Sequence, residues 1–85
     1  SYHVGDADHY IALYSPAHAM TGDADRYKTY GGMNHIGLVV DDLDAMAARI
    51  REAGYTITMQ ADYEPGRRFY FDGPDGVEYE LVSYA

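Results

Sequence analysis

Four apolar residues, Leu43, Met46, Ala47 and Ile50, fall at i, i+3, i+4 and i+7, and strand-like alternation flanks them on both sides. The stripe predicts a helix from about Leu43 to Ala53. Asp41 or Asp42 caps its start, Asp44 adds negative charge to the first turn, Arg49 and Arg51 sit near its C-terminal end, and Gly54 stops it. Ahead of it, residues 34 to 40 alternate as a strand. Ile36, Leu38 and Val40 then face the helix, which leaves His35, Gly37 and Val39 on the other side. Beyond the helix, Thr56 to Gln60 reads as a second strand with Ile57 and Met59 inward. Residues 67–71 and 77–84 read as a hairpin across Asp72-Gly73-Pro74-Asp75-Gly76, where proline presets one turn angle and glycine supplies a positive φ. The order strand–helix–strand–strand–strand implies an α+β domain: one sheet, one face under the helix, the other face open.

Parity then sorts the polar residues. On the last strand Val77, Tyr79 and Leu81 share a face, while Glu78, Glu80, Val82 and Tyr84 share the other. With Tyr79 and Leu81 in the core, Glu80 points to the open face, as His35 does. Counting back across the hairpin puts Arg68 beside Glu80, and parity makes Tyr70 and Tyr10 wall residues of the same concavity. Two readings stand for each. His35 is a metal ligand or a polar strand residue bonded to a tyrosine. Glu80 is a ligand or a solvated carboxylate like Glu78. Arg68 holds an anionic substrate or neutralises Glu80 or Glu78, and pairing with Glu80 would weaken metal binding there. His3, His9 and His18 are read as turn and linker residues. Residues 63–66 form a loop that rims the pocket, and Asp23-Ala24-Asp25 lacks the later ligands of a calcium loop.

An internal repeat adds a second level. At an offset of 68 positions, Gly5 matches Gly73, Leu13 matches Leu81, Ser15 matches Ser83, and Ile11 falls on Tyr79. Taken together with the family resemblance given below, the repeat implies that residues 1–15 are the closing hairpin of a partial first module, 16–33 a linker, and 34–85 a βαβββ module within one domain. At the same offset the counterpart of Glu80 is Ala12, which cannot bind a metal. The counterpart of His35 falls ahead of Ser1, so a first strand, helix and second strand of roughly 35 residues are expected to be either missing from this sequence or never encoded.

Composition removes other classes. Six basic against fourteen acidic residues give a net charge of −8, with no basic stripe for a nucleic acid. Cysteine is absent, so neither disulfides nor thiolates are available. No apolar run approaches the roughly 20 residues of a membrane span, and no charged-then-apolar leader is present, so the expectation is a soluble, cytoplasmic chain. Ten tyrosines in 85 residues suit a cavity wall or an interface better than a dry core.

The stretches NHIGLVVDDLDAMAARIREAGY and GRRFYFDGPDGVEYELVSY resemble the repeating module of the vicinal oxygen chelate superfamily, which includes glyoxalases, bleomycin-resistance proteins, fosfomycin-resistance proteins and extradiol dioxygenases. The resemblance implies that His35 and Glu80 hold a divalent metal (iron, manganese, nickel or zinc). Superfamily members use three or four such positions; here only two are filled. Members with two histidines and one glutamate lack a ligand at the position of Ala12, and that pattern requires one more histidine from elsewhere. The function implied is a metal-dependent lyase or dioxygenase acting on a small oxygen-bearing substrate. The alternative is a metal-free, bleomycin-resistance-like protein that sequesters a small molecule in a dimer cavity; a third is a module whose role is only to dimerise. A half-closed module exposes a sheet edge that invites pairing, so the expectation is a homodimer, with or without exchange of strands between chains, or a chain that is only part of a longer protein.

Overall fold

The computed structural model describes residues 2–18, 27–63, 66–74 and 76–85. The Asp23–Asp25 stretch, the middle of the 16–33 linker, Glu64 and Pro65 of the rim loop, and Asp75 of the hairpin turn lie outside the described residues. The elements run β1 (Tyr2–Gly5), β2 (Tyr10–Leu13), β3 (Ile36–Val39), α1 (Leu43–Glu52), β4 (Ile57–Tyr63), β5 (Gly66–Asp72) and β6 (Glu78–Ser83). Strands β3, β6, β5 and β4 form one mixed sheet in that order, β3 parallel to β6 and the other pairs antiparallel. Strands β1 and β2 pair separately as an antiparallel hairpin. This is the expected α+β arrangement.

Helix α1 forms where its stripe and its caps agree. Asp42, in extended conformation, accepts the Ala45 amide at 3.0 Å, satisfying one of the unpaired amides of the first turn. At the other end Gly54 takes φ +95°. Its amide bonds Arg51 and the Tyr55 amide bonds Ile50, the paired closure that needs a left-handed residue. Arg67 reaches the first turn, 3.3 Å from Asp44, but both are exposed enough for the pair to contribute little.

The helix covers one face of the sheet. Leu43, Phe69, Phe71 and Leu81 are buried together, with Val40, Met46, Ala47, Ile50, Tyr55, Ile57 and Tyr79 packed around them. Phe69 is 2% exposed and sits on the central strand β5, opposite Leu81. Ser83 and Val82 fasten the end of β6 to the β3–α1 junction: the Ser83 hydroxyl donates to the Asp41 carbonyl and the Val40 amide to the Val82 carbonyl.

The expected inward face of β4 holds for Ile57 and fails for Met59. Ile57 pairs with Phe71 and Met59 with Tyr70, so Thr58 is an extra residue in the ladder. A bulge of this kind reverses the alternation beyond it. The Thr58 hydroxyl donates to the Tyr70 carbonyl at 3.2 Å. Met59 therefore lies on the open face, opposite Tyr70, and is 53% exposed.

The hairpin β1–β2 closes through Asp6, whose carboxylate accepts the Asp8 and His9 amides. Those two bonds hold the Asp6 carboxyl below its usual range. Among the described elements the strands of this hairpin pack only on each other. An apolar cleft of about 600 Å³ separates it from the helix-covered side of the module, with Ile11 and Leu13 on one wall and Leu38, Met46 and Ile50 on the other.

Candidate functional site

The open face of the sheet gathers the polar residues that parity assigned to it. Gly37 lies directly across the parallel pair from Glu80, which brings His35, just before β3, to the Glu80 carboxylate. Its Nε2 is 3.5 Å from Glu80 Oε1. The absence of a side chain at residue 37 makes room: a Cβ there would stand 3.2 Å from the same oxygen.

The other oxygen of Glu80 is fully engaged. Arg68 Nη1 donates to Oε2 at 3.0 Å and the Tyr70 hydroxyl donates to it at 2.9 Å. Tyr70 is directly opposite Glu80 on β5, whereas Arg68 is opposite Val82 and reaches across diagonally. Arg68 is thus on the expected face but two residues from the position beside Glu80. It is held on two further sides, by the Gly66 carbonyl at 3.4 Å and by the Tyr63 ring, whose centroid lies 4.5 Å from the guanidinium. Both side chains of the Arg68–Glu80 pair are 12% exposed. Burial works to lower the Arg68 pKa, but the bond to Glu80, aided by its charge and the nearby tyrosines, leaves it raised. Burial raises that of Tyr70, and the bond to Glu80 adds to it.

His35 is oriented as closely as Glu80. Its Nδ1 lies 2.6 Å from Asn34 Oδ1, and its ring meets Tyr70 edge-on at 5.5 Å between centroids. When Nδ1 donates to the Asn34 amide oxygen, it is the protonated nitrogen of the ring. A neutral ring then turns its Nε2 lone pair toward Glu80 Oε1, so two acceptors approach each other. A cation between them resolves that approach. On the other side Glu78 Oε1 stands 4.0 Å from Nδ1 and accepts the Tyr27 hydroxyl.

Of the site residues expected from sequence, the structure brings together His35, Glu80, Arg68 and Tyr70. It does not bring Tyr10 to them. Tyr10 stacks on His3 at 4.1 Å and lines the apolar cleft on the opposite side of the sheet. Sequence reasoning missed Glu78 and Asn34, and it placed Tyr63 and Gly66 in a rim loop, whereas Tyr63 ends β4 and Gly66 begins β5. The signal for Glu78 was its shared face with Glu80; Tyr63 carried none, because its face depends on the bulge at Thr58. No such signal marked Asn34.

The donor set suits a divalent metal in type, with an imidazole nitrogen and a carboxylate oxygen converging and each oriented by an outer partner. It is incomplete in number. Among the described residues no three histidine, aspartate or glutamate side chains group to hold an ion, and Ala12, across from His3 in the β1–β2 hairpin, has no donor.

Comparison with known proteins now carries weight. The model of the Glyoxalase/Bleomycin resistance protein/Dioxygenase superfamily matches residues 1–81. The chain belongs to this superfamily. It is similar to a crystal structure of a member of the glyoxalase/bleomycin resistance protein/dioxygenase superfamily from Sphaerobacter thermophilus DSM 20745. The two share 30% identity with a TM-score of 0.51, over 56% of this chain and 40% of that one. The chain thus spans less than half the length of that relative in the match. No curated protein matches it. No helix among the described residues is long and apolar enough to cross a membrane.

Proposed function

We propose that the open sheet face is one wall of a small-molecule site, and that His35 and Glu80 are two protein ligands of a divalent metal in an enzyme of the lyase or dioxygenase type. The observation that carries this reading is the approach of Nε2 to Oε1 at 3.5 Å, with the remaining polar atoms of both side chains bonded elsewhere. Lone pairs held that way have their orientation settled before any cation arrives.

The remaining ligand is assigned to a second module, supplied by another copy of the chain. Strand β3 is at the edge of its sheet, and Leu38 and Val39 on it are 44% and 66% exposed. An apolar edge that pairs with no other described strand favours association. Joining two copies in a homodimer brings two open faces together, so that each supplies donors to a shared cavity.

When bound, such a metal supplies Lewis-acid stabilisation of negative charge developing on a substrate with neighbouring oxygens. The chain's own residues do the rest. Asn34 fixes the ring of His35, and Tyr70 and Arg68 fix the carboxylate of Glu80. Met59, Tyr63 and Val39 offer an exposed apolar and aromatic wall for the body of a small substrate.

The test is metal titration of the purified chain beside His35→Ala, with nickel, manganese, iron and zinc. Near-stoichiometric binding that disappears in the variant supports the reading. Equal, negligible binding by both chains sinks it.

A second reading is favoured by one specific observation: Arg68 already neutralises Glu80. In it the same face, closed by a second copy, captures a small molecule without chemistry. The rings of Tyr63 and Tyr70, with the carboxylate of Glu78 beside them, would then receive an aromatic or cationic ligand. Thermal stabilisation by such compounds, undiminished by a chelator, distinguishes it from the metal-dependent reading.

A further inference from the structure

We infer that Arg68 is an internal counter-cation that competes with the metal for Glu80, so that the hold on Arg68 sets the site's metal affinity. The inference rests on the reading of His35 and Glu80 as metal ligands and deepens it. Glu80 carries one negative charge, and Arg68 takes a share of it at 3.0 Å within a pair that is only 12% exposed. A cation approaching Oε1 from the side of His35 meets a carboxylate already compensated and, beyond it, a guanidinium of its own sign.

The position of Arg68 is not one that its own donors would select. Its Nε is buried without an acceptor among the described residues, and the Gly66 carbonyl accepts from Nη2 at a long 3.4 Å. What holds it is the charge of Glu80 on one side and the face of Tyr63 on the other. Tyr63 is 56% exposed, so the outer hold opens directly to solvent. Removing the charge of Arg68, or loosening the hold of Tyr63 on it, frees negative charge for the metal without altering a ligand.

The experiment is calorimetric titration of the full chain with manganese and with nickel at neutral pH. Wild type is compared with Arg68→Met, which keeps the apolar stem and removes the charge, and with Tyr63→Leu; each is repeated in a His35→Ala background. Opposite charge at this range alters a carboxylate's affinity for a proton by one to three powers of ten, so Arg68→Met is expected to bind the metal about tenfold tighter or more. Tyr63→Leu is expected to show a smaller gain, and both gains should vanish with His35→Ala. Binding by wild type with equal or weaker binding by Arg68→Met overturns the inference while leaving the ligands standing. No binding by any chain above the His35→Ala background rejects the ligand assignment, and the inference with it. Should Arg68→Met fail to fold by circular dichroism, Tyr63→Leu decides alone: tighter binding supports the inference and unchanged binding overturns it.

Discussion

Gly37 and Glu80 face each other across the parallel strands β3 and β6, and a Cβ on residue 37 would stand 3.2 Å from Glu80 Oε1. That contact lies on the side of the carboxylate turned toward His35. Gly37→Ala should therefore push the carboxylate off its present direction rather than disturb the core. The obstructing atom ends a side chain, which limits the cost to about 1 kcal/mol, the low end for inserted methyl groups. Urea unfolding and metal titration measured together check this. A variant that loses metal affinity with nearly unchanged stability fits; unchanged affinity would show that residue 37 exerts no control over Glu80.

Two aspartates precede α1, and only one caps it. Asp42 accepts the Ala45 amide, whereas the Asp41 backbone carbonyl serves Ser83. Asp42→Ala should lower stability by about 1 kcal/mol, while Asp41→Ala, which keeps that carbonyl, should change it by only a few tenths. Denaturation midpoints of the two variants, run side by side, separate the positions. Equal losses would mean that the two residues share the cap.

The elements were legible where one face of a segment is buried. The stripe Leu43–Met46–Ala47–Ile50 and the alternation through Tyr79 and Leu81 both report the same helix-covered core, so helix, hairpin and open face could be read together. Met59 escaped that logic because the bulge at Thr58 has no signature in the side-chain pattern. Arg68 was assignable to a face but not to a register, since a side chain of its length spans more than one cross-strand position. Alternation gives the side of a strand and not the depth of cover. Glu78 looks like a solvated carboxylate until Tyr27, 51 positions away in sequence, is placed on it. Tyr10 was misplaced for a related reason: the position of the β1–β2 hairpin relative to the sheet is a long-range property that a local repeat does not specify.

The core depends heavily on one central residue. Phe69 is 2% exposed on the middle of β5, and no large side chain among the described residues is fully enclosed. Phe69→Ala should cost about 3–5 kcal/mol, a large part of what so small a domain possesses. The circular dichroism spectrum should lose its cooperative thermal transition. Val39→Ala, 66% exposed on the outer edge of β3, should leave that transition almost unmoved. A cooperative transition retained in Phe69→Ala at the wild-type midpoint would refute the central place given to this ring.

Tyr70 gives the site an alkaline limit. Burial and then the bond to Glu80 raise its pKa above the ordinary value near 10. A group whose folded pKa is raised binds its proton more tightly when folded. Its contribution to stability is complete below the unfolded pKa and is lost as pH rises from there through the folded one. The loss should therefore begin near pH 10 and continue above it, with no part of it at neutral pH. Removing the hydroxyl removes this dependence, so Tyr70→Phe should be less stable than wild type at pH 8, with the difference shrinking as pH climbs past 10. Glu80→Gln should move the phenol's own titration toward its ordinary range, because a neutral amide no longer opposes the phenolate charge. Urea midpoints across that range and nuclear magnetic resonance of the labelled tyrosine ring check the two statements separately. A stability difference between wild type and Tyr70→Phe that stays constant from pH 8 to beyond pH 11 would dissociate this hydroxyl from Glu80.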